Sequence, residues 1–590
     1  MRLCSRRQVP VTSIPFLLLA LAFNGVSIRA QDNQNPENEA KRWRFFSEEV
    51  EIDRLLLDLA DRHRPQTIAL EHADVLTMKG DELLKNHTVV VDGGLIQAIG
   101  PSSSLSIPEG AIRIDARGKY VLPGLTDMHV HILETHAHYL LNLVNGVTTV
   151  RDMGGYPWMI TLRNRVRENR LLAPNIYLSG TILNGSSMGM YAVVVKSPIV
   201  ARRLVREQSE AGYDFIKVHN VMAPDVYEAV MTEARRRRMD VVGHIPHDIS
   251  LAKALELGQR TFEHFKGYYL DRTLELTGED YVALTKGAEV WNCPTFYTYR
   301  IGLRGDDARK LRQTEEAKYL SSGERALWLK GAEDKENDGS RYRQGFELSK
   351  KIFRDLLAVG AKFVAGTDSG GGYPMMVPGF ALHEELRIMV ENGMSVREAL
   401  RSATVNAAEA MRRSAEFGTI EARKRADLLL VSRNPLESIE NVSALEGVMV
   451  RGIWLDRAAL DSIKGRIREI YAEEASSVRQ AVDGRDERRL ENHPGKSDGR
   501  AVYSGKSDGR SDGRSEDSAS QSVIGLESPT MEQELPTAEQ MDALVAHMVE
   551  LHARGFVFME HQLSELERML SKHGRATTAV ARLRTGGGQP

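Results

Sequence analysis

Between Leu125 and Asp368 the chain alternates, eight times over, between short β-rich runs and helix-like sequence. The runs are "LTDMHVH", "VTTVRD", "NIYLSG", "DFIKVH", "DVVGHI", "RTFEHF", "AEVWNC" and "KFVAGTD". Amphipathic stretches such as "VYEAVMTEARRRRM" and "SLAKALELG" lie between them. Eight β/α units over about 270 residues are the arithmetic of a TIM-like (β/α)8 barrel. This pattern excludes most other α/β layouts and fixes where chemistry belongs, because the carboxyl ends of barrel strands meet at one mouth.

The flanks have a different period. "TIALEHADVLTM", "HTVVVDGGLIQAIG" and "AIRIDARGKYVLPG" precede the barrel, while "GTIEARKRADLLLVSRNP" and "LEGVMVRGIWLD" follow it. Strand signals bounded by Gly, Pro and Asp-Gly mark a β unit that the barrel interrupts. The expected division is a signal peptide (1–30), a helical segment (31–65), a composite β-sandwich domain (66–123 and 416–460) and the barrel (124–415). A helix (461–482), a linker (483–535) and a helical extension (536–590) follow. At 590 residues the chain exceeds one core and suggests about two to four units.

Arg2, Arg6 and Arg7, an apolar run from Ile14 to Phe23, and Ala30 before Gln31 have the layout of a secretory signal. The run is too short to span a bilayer comfortably. The expectation is export to the periplasm or outside the cell, with no stable membrane insertion once the signal is removed. Of Cys4 and Cys293 only the second would remain, so no internal disulfide forms. A net charge of −3 gives no global argument for nucleic acid or an anionic surface. SDGR recurs at Ser497, Ser507 and Ser511, a low-complexity segment expected to be disordered. Thr537 and Gln540 make a capping box before a stripe of Met541, Leu544, Val545, Met548 and Leu551. That helix either packs on the body or docks a second copy, so a homo-oligomer stays open. The charged stretch of roughly 300–358, between strands 7 and 8, reads as a helical insertion that could form a lid.

His129 and His131 alternate on one face at the end of strand 1. Lys217 falls near the end of strand 4, His244 and His264 near the ends of strands 5 and 6, and Asp368 at the end of strand 8. All six gather at the expected mouth. His136 and His138, the other H-x-H pair, fall in the first helix and are expected on its surface. A protonated lysine cannot ligate a metal, but a neutral amine can capture carbon dioxide as a carbamate, whose carboxylate bridges two divalent ions. A lysine snorkelling at a strand end is the plainer reading of Lys217 taken alone.

Other residues are assigned less. His247 is a candidate substrate contact or a solvated loop histidine, and the role of His219 is open. Arg151 either binds a substrate carboxylate or, with Asp152, forms an internal ion pair. Asp127 lies deeper and reads as structural. Tyr297 and Tyr299 are candidates to line the pocket, and the glycines after Ser369 make a weak anion cradle.

The segments "YVLPGLTDMHVH", "NGVTTVRDMGG", "DFIKVH", "VVGHIPH", "GQRTFEHF", "VAGTDSG" and "LHEELRIMVENGMSVREALRSATVNAAEAM", in that order, resemble the amidohydrolase superfamily. The likeness is to its imidazolonepropionase-like and Xaa-dipeptidase (prolidase-like) branch, and it extends over about residues 66–460. It implies one metal on His129, His131 and Asp368, a second on His244 and His264, and carboxylated Lys217 with a hydroxide bridging them. It implies Asp368 as general base and then acid, two divalent ions with zinc as the default, and hydrolysis of an amide in a small substrate such as a dipeptide or N-acyl amino acid. A mononuclear cyclic-amide hydrolase or deaminase on the same scaffold, and a non-catalytic binding protein on a degenerate barrel, are the alternatives.

Overall fold

The computed structural model describes residues 36–132, 135–188, 192–270, 274–278, 280–302, 310, 313–321, 323–325, 339–370, 376–472, 538–553 and 560–572, with a few positions between 577 and 583. The expected signal peptide and the SDGR segment lie outside the described residues, as does most of the insertion before Gly339.

The eight barrel strands fall on the eight sequence runs: Leu125–His131, Val147–Asp152, Asn175–Leu178, Phe215–Val218, Asp240–Gly243, Thr261–Glu263, Trp291–Cys293 and Lys362–Phe363. Neighbours pair in parallel around the ring. A bridge from Ser179 to Phe215 joins the third strand to the fourth. The ring closes where Met128 N–H donates to Ala365 O at 2.9 Å. Some of the helices between strands have recognisable ends. Ser197 caps Pro198–Ala211 through Val200 N–H, Ser250 caps Leu251–Leu257 through Lys253 N–H, and Gly212 at φ 89° ends the former. Two short strands, Ile182–Asn184 and Ala192–Val194, add an extension at the mouth that the sequence pattern does not announce.

The composite β domain is one continuous eight-stranded sheet. Leu428–Val431, from after the barrel, runs antiparallel to Tyr120–Pro123, from before it. Alternation then splits that strand between two cores. Leu428 and Leu430 join Ile68, Leu70, Val89 and Val91 inside the sheet's own cluster, whereas Leu429 and Val431 join the barrel cluster.

Among the described residues, four further helices cover the barrel. Pro36–Arg62 and residues 457–472 are helices, and Ala538–Ala553 and Glu560–Lys572 follow in the extension. Val50, Ile52, Leu56, Met541, Met548, Leu551, Leu563 and Leu566 belong to the same buried cluster as the barrel helices. The extension therefore packs back on the body.

This covering corrects the reading of the second histidine pair. His136 and His138 are 3% and 2% exposed, not at a helix surface. His136 Nδ1–H donates to Asp53 of the N-terminal helix at 2.6 Å, and His138 Nε2–H donates to Glu324 of the insertion at 2.6 Å. Thr135 shares a 3.0 Å hydrogen bond with Tyr471. A helical pattern shows which residues lie on one stripe but not what covers it, and here elements outside the barrel do. His136→Ala takes the imidazole from a fully buried carboxylate, so it is expected to lower stability by about 3 kcal/mol. Thermal melts of the metal-free protein check this, and an unchanged Tm would contradict it.

Candidate metal centre

His129 and His131 end the first strand with both rings turned inward. Their Nε2 atoms lie 3.3 Å apart, and each is 3.2 Å from Asp368 Oδ1. An ion with ~2.0–2.1 Å bonds to nitrogen and oxygen sets tetrahedral ligands about 3.3–3.4 Å apart, so the spacing fits a divalent metal. Asp368 reaches this point from a left-handed backbone, φ 61°, a strained conformation of the kind that clusters at functional sites. Asp127 secures the junction beneath. It accepts from His129 N–H and Thr367 N–H at 3.1 Å each, and from the Thr367 hydroxyl at 2.7 Å. Burial pushes its carboxyl up to about 7, and its bonds are structural.

A second set lies alongside. His264 Nε2 is 3.9 Å from Asp368 Oδ2, and the His264 ring lies 4.8 Å from those of His129 and His244. Lys217 Nζ is 3.5 Å from His129 Nε2 in a fully buried position. Gly243 makes this crowding possible: a Cβ there would lie 2.2 Å from Val218 O and 2.8 Å from Lys217 Cδ. The structure thus brings His129, His131, Lys217, His244, His264 and Asp368 to one mouth. His129, His264 and Asp368 present donor atoms within 4.8 Å of one another.

Three ring orientations follow from what the far nitrogen touches. Glu263 Oε2 lies 3.0 Å from His129 Nδ1, Asn220 Oδ1 2.6 Å from His244 Nδ1, and the Thr295 hydroxyl 2.5 Å from His264 Nδ1. The Thr295 hydroxyl donates its own proton to Pro294 O, so it accepts from His264. Each of these three histidines therefore presents its Nδ1–H to that partner and turns Nε2 toward the mouth. Charge agrees. Burial holds His244 and His264 well below the ordinary imidazole range. Burial alone would raise Asp368, but His129 and His264 beside it hold it well below the usual carboxylate range. Burial draws Lys217 down to about 8 against the pull of Glu263 and Asp368. Imidazoles held low at His244 and His264, an ionised Asp368 and a lysine amine drawn down by burial all favour metal ligation.

Thr295→Val keeps the volume but removes the acceptor for His264. Metal affinity of the stripped protein is expected to fall about 10-fold in titration calorimetry; unchanged affinity would show that Thr295 does not orient the ring.

The weaker candidates divide. Arg151 is 1% exposed and donates to Glu263, Thr261 and Met128 O, so it forms an internal ion pair rather than reaching substrate, and its partner is Glu263, not Asp152. Asp152 instead accepts from Ile132 N–H and Gly154 N–H. Tyr297 is fully buried, and its hydroxyl accepts from Arg300. His247 is exposed on the loop after the fifth strand, and its N–H donates to Asn220 O. The His219 ring lies tilted 4.0 Å from that of His244, and burial first, with Lys217 second, draws it down to about 3. Sequence reading missed Glu263, Asn220 and Thr295. The signal for the first was present: an acid in "RTFEHF" and a base in "VTTVRD" both interrupt buried strands, and buried charges need partners.

A model of the amidohydrolase family matches residues 120–455. Among curated proteins, the chain is 23% identical over 404 residues to 5-methylthioadenosine/S-adenosylhomocysteine deaminase of Caldanaerobacter subterraneus subsp. tengcongensis, covering 62% of this chain and 85% of that protein. Among solved structures, a bottromycin amidohydrolase superposes with a TM-score of 0.60 at 25% identity, over 71% of this chain and 93% of that one. A prolidase complexed with N-methylphosphonate-L-proline gives a TM-score of 0.53 at 25% identity, over 66% and 100%.

Proposed function

Because this chain belongs to the amidohydrolase family, and is accordingly a metal-dependent hydrolase of C–N bonds, we propose that it cleaves the amide of a dipeptide or N-acyl amino acid. The observation that carries the reading is the convergence of His129 Nε2, His131 Nε2 and Asp368 Oδ1 at 3.2–3.3 Å, with His244, His264 and Lys217 beside them. The proposed ligands are His129, His131 and Asp368 for one ion, and His244 and His264 for a second. Lys217, carboxylated, would add a carboxylate ligand beside them. Zinc suits four imidazoles best.

Bound divalent ions supply Lewis acidity toward the amide carbonyl and lower the pKa of water. The chain's own residues do the rest. The Nδ1–H contacts to Glu263, Asn220 and Thr295 hold three rings in ligating orientation. Asp368, kept ionised, takes the proton of the attacking water on its free oxygen and returns it to the leaving nitrogen, whose C–N bond then breaks to give acid and amine. The buried walls around Lys217 keep bulk water from the amine.

The structural likeness to a prolidase supports the dipeptide reading. The deaminase relative favours a second reading, hydrolytic loss of ammonia from an aminopurine. Purified protein is tested against dipeptides, N-acyl amino acids and aminopurines, with and without chelator. Chelator-sensitive release of a free amino acid is expected; ammonia from aminopurines without peptide cleavage would overturn the proposal in favour of the second reading. Export is part of the same proposal, and N-terminal sequencing of secreted protein is expected to start at Gln31.

A further inference from the structure

Glu263 lies directly beneath the ligand cluster, and the proposed reaction passes no atom through it. Its carboxylate is fully buried and engaged on both oxygens. His129 Nδ1–H reaches Oε2 at 3.0 Å, while Arg151 at 2.8 Å and the Thr261 hydroxyl at 2.5 Å reach Oε1. Arg151 is itself locked, through Nε to Met128 O at 2.6 Å and through another nitrogen to the Thr261 hydroxyl at 3.2 Å. One side chain thus grips the ring of His129, and its partner grips the backbone one residue earlier.

There is a second reason for attention to this pair. His129, Glu263 and Cys293 also present donor atoms within 4.8 Å of one another, so two overlapping sets of metal-type donors share His129. The upper set, with His264 and Asp368, uses Nε2. The lower set would use Nδ1, the nitrogen that faces Glu263. A neutral imidazole carries one proton, and the nitrogen that holds it is closed to metal. An ionised carboxylate only accepts, so Glu263 puts that proton on Nδ1 and opens Nε2 to the mouth. Arg151 in turn occupies the other oxygen and supplies the positive charge that a cation would otherwise bring.

We propose that Glu263, anchored by Arg151, is a positioning residue that commits His129 to bind metal through Nε2 and bars metal from the Glu263–Cys293 side. This rests on the metal-hydrolase reading above. Metal-ligating histidines in general depend on such partners, whose loss weakens metal binding by about 10–100-fold.

The test uses full-length protein stripped by chelator and titrated with Co2+, read by visible absorption and by calorimetry. Wild type is expected to bind without any thiolate-to-cobalt charge-transfer band. Glu263→Gln is expected to bind about 10–100-fold more weakly, with a shifted ligand-field spectrum that a merely structural role would not produce. Arg151→Met is expected to gain the thiolate band, and Arg151→Met with Cys293→Ser to lose it again. The double variant Glu263→Gln, Arg151→Met removes both charges of the buried pair, covers the case in which one unpaired charge unfolds the chain, and is expected to fold by circular dichroism yet bind weakly. Wild-type affinity and spectrum in Glu263→Gln or in the double variant would overturn the proposal. Absence of Co2+ uptake by wild type would overturn the metal-hydrolase reading itself, and this proposal with it.

Discussion

Replacing Asp368 by asparagine is expected to lower kcat by about 10³-fold or more, with the fold intact. Asparagine keeps the shape and the carbonyl oxygen but loses the charge and the second basic oxygen. Both matter in the arrangement seen. Oδ1 lies 3.2 Å from two imidazole nitrogens, where a cation fits, while Oδ2 is 3.9 Å from His264 and is the oxygen left for proton transfer. A variant that only weakened metal binding would regain its rate in excess metal. One that lost the proton acceptor would not, and Asp368→Asn is expected to stay slow under saturating metal, measured as kcat with a dipeptide. Wild-type kcat in this variant would remove Asp368 from the reaction.

Lys217→Ala is expected to lower activity by about 100-fold or more, since outer partners of metal ligands alone carry 10–100-fold. Short carboxylic acids added to the variant are expected to restore part of it by taking the place of the carbamate. A lysine buried only for packing would show no such rescue. The pH dependence has a defined sign. Carbamate forms from the neutral amine, and burial draws that amine down to about 8, so raising the pH from 7 toward 9 in bicarbonate increases the fraction able to react. Metal uptake by stripped wild-type protein is expected to rise over that interval, and to show no bicarbonate dependence in Lys217→Ala. Equal uptake by both proteins with and without bicarbonate would contradict the bridge.

The barrel is readable in the sequence because its strands are buried and most of the helices that follow are amphipathic, so the period itself changes from one to the other. Placing His129, Lys217, His244, His264 and Asp368 at strand ends then needs no structure. His136 and His138 show where pattern stops. Their stripe is apparent from spacing, but the acids that bury it, Asp53 and Glu324, come from 83 and 186 residues away. The orienting residues illustrate a different limit. Asn220 and Thr295 are polar loop residues with no local signal, and tertiary contact alone puts them on His244 and His264. Glu263 and Arg151 stand between these cases: each is conspicuous as a charge in a buried strand, yet only the folded ring shows that they pair with each other. The short strands Ile182–Asn184 and Ala192–Val194 are three residues each, too brief for alternation to register.

Metal content of the purified protein, by elemental analysis after growth and dialysis in bicarbonate, tests the central claim most directly. About two divalent ions per chain, falling on Lys217→Ala substitution, is the expected result for a bridged pair of ions. One ion per chain, unchanged by that substitution, would contradict the paired centre and return Lys217 to a structural role.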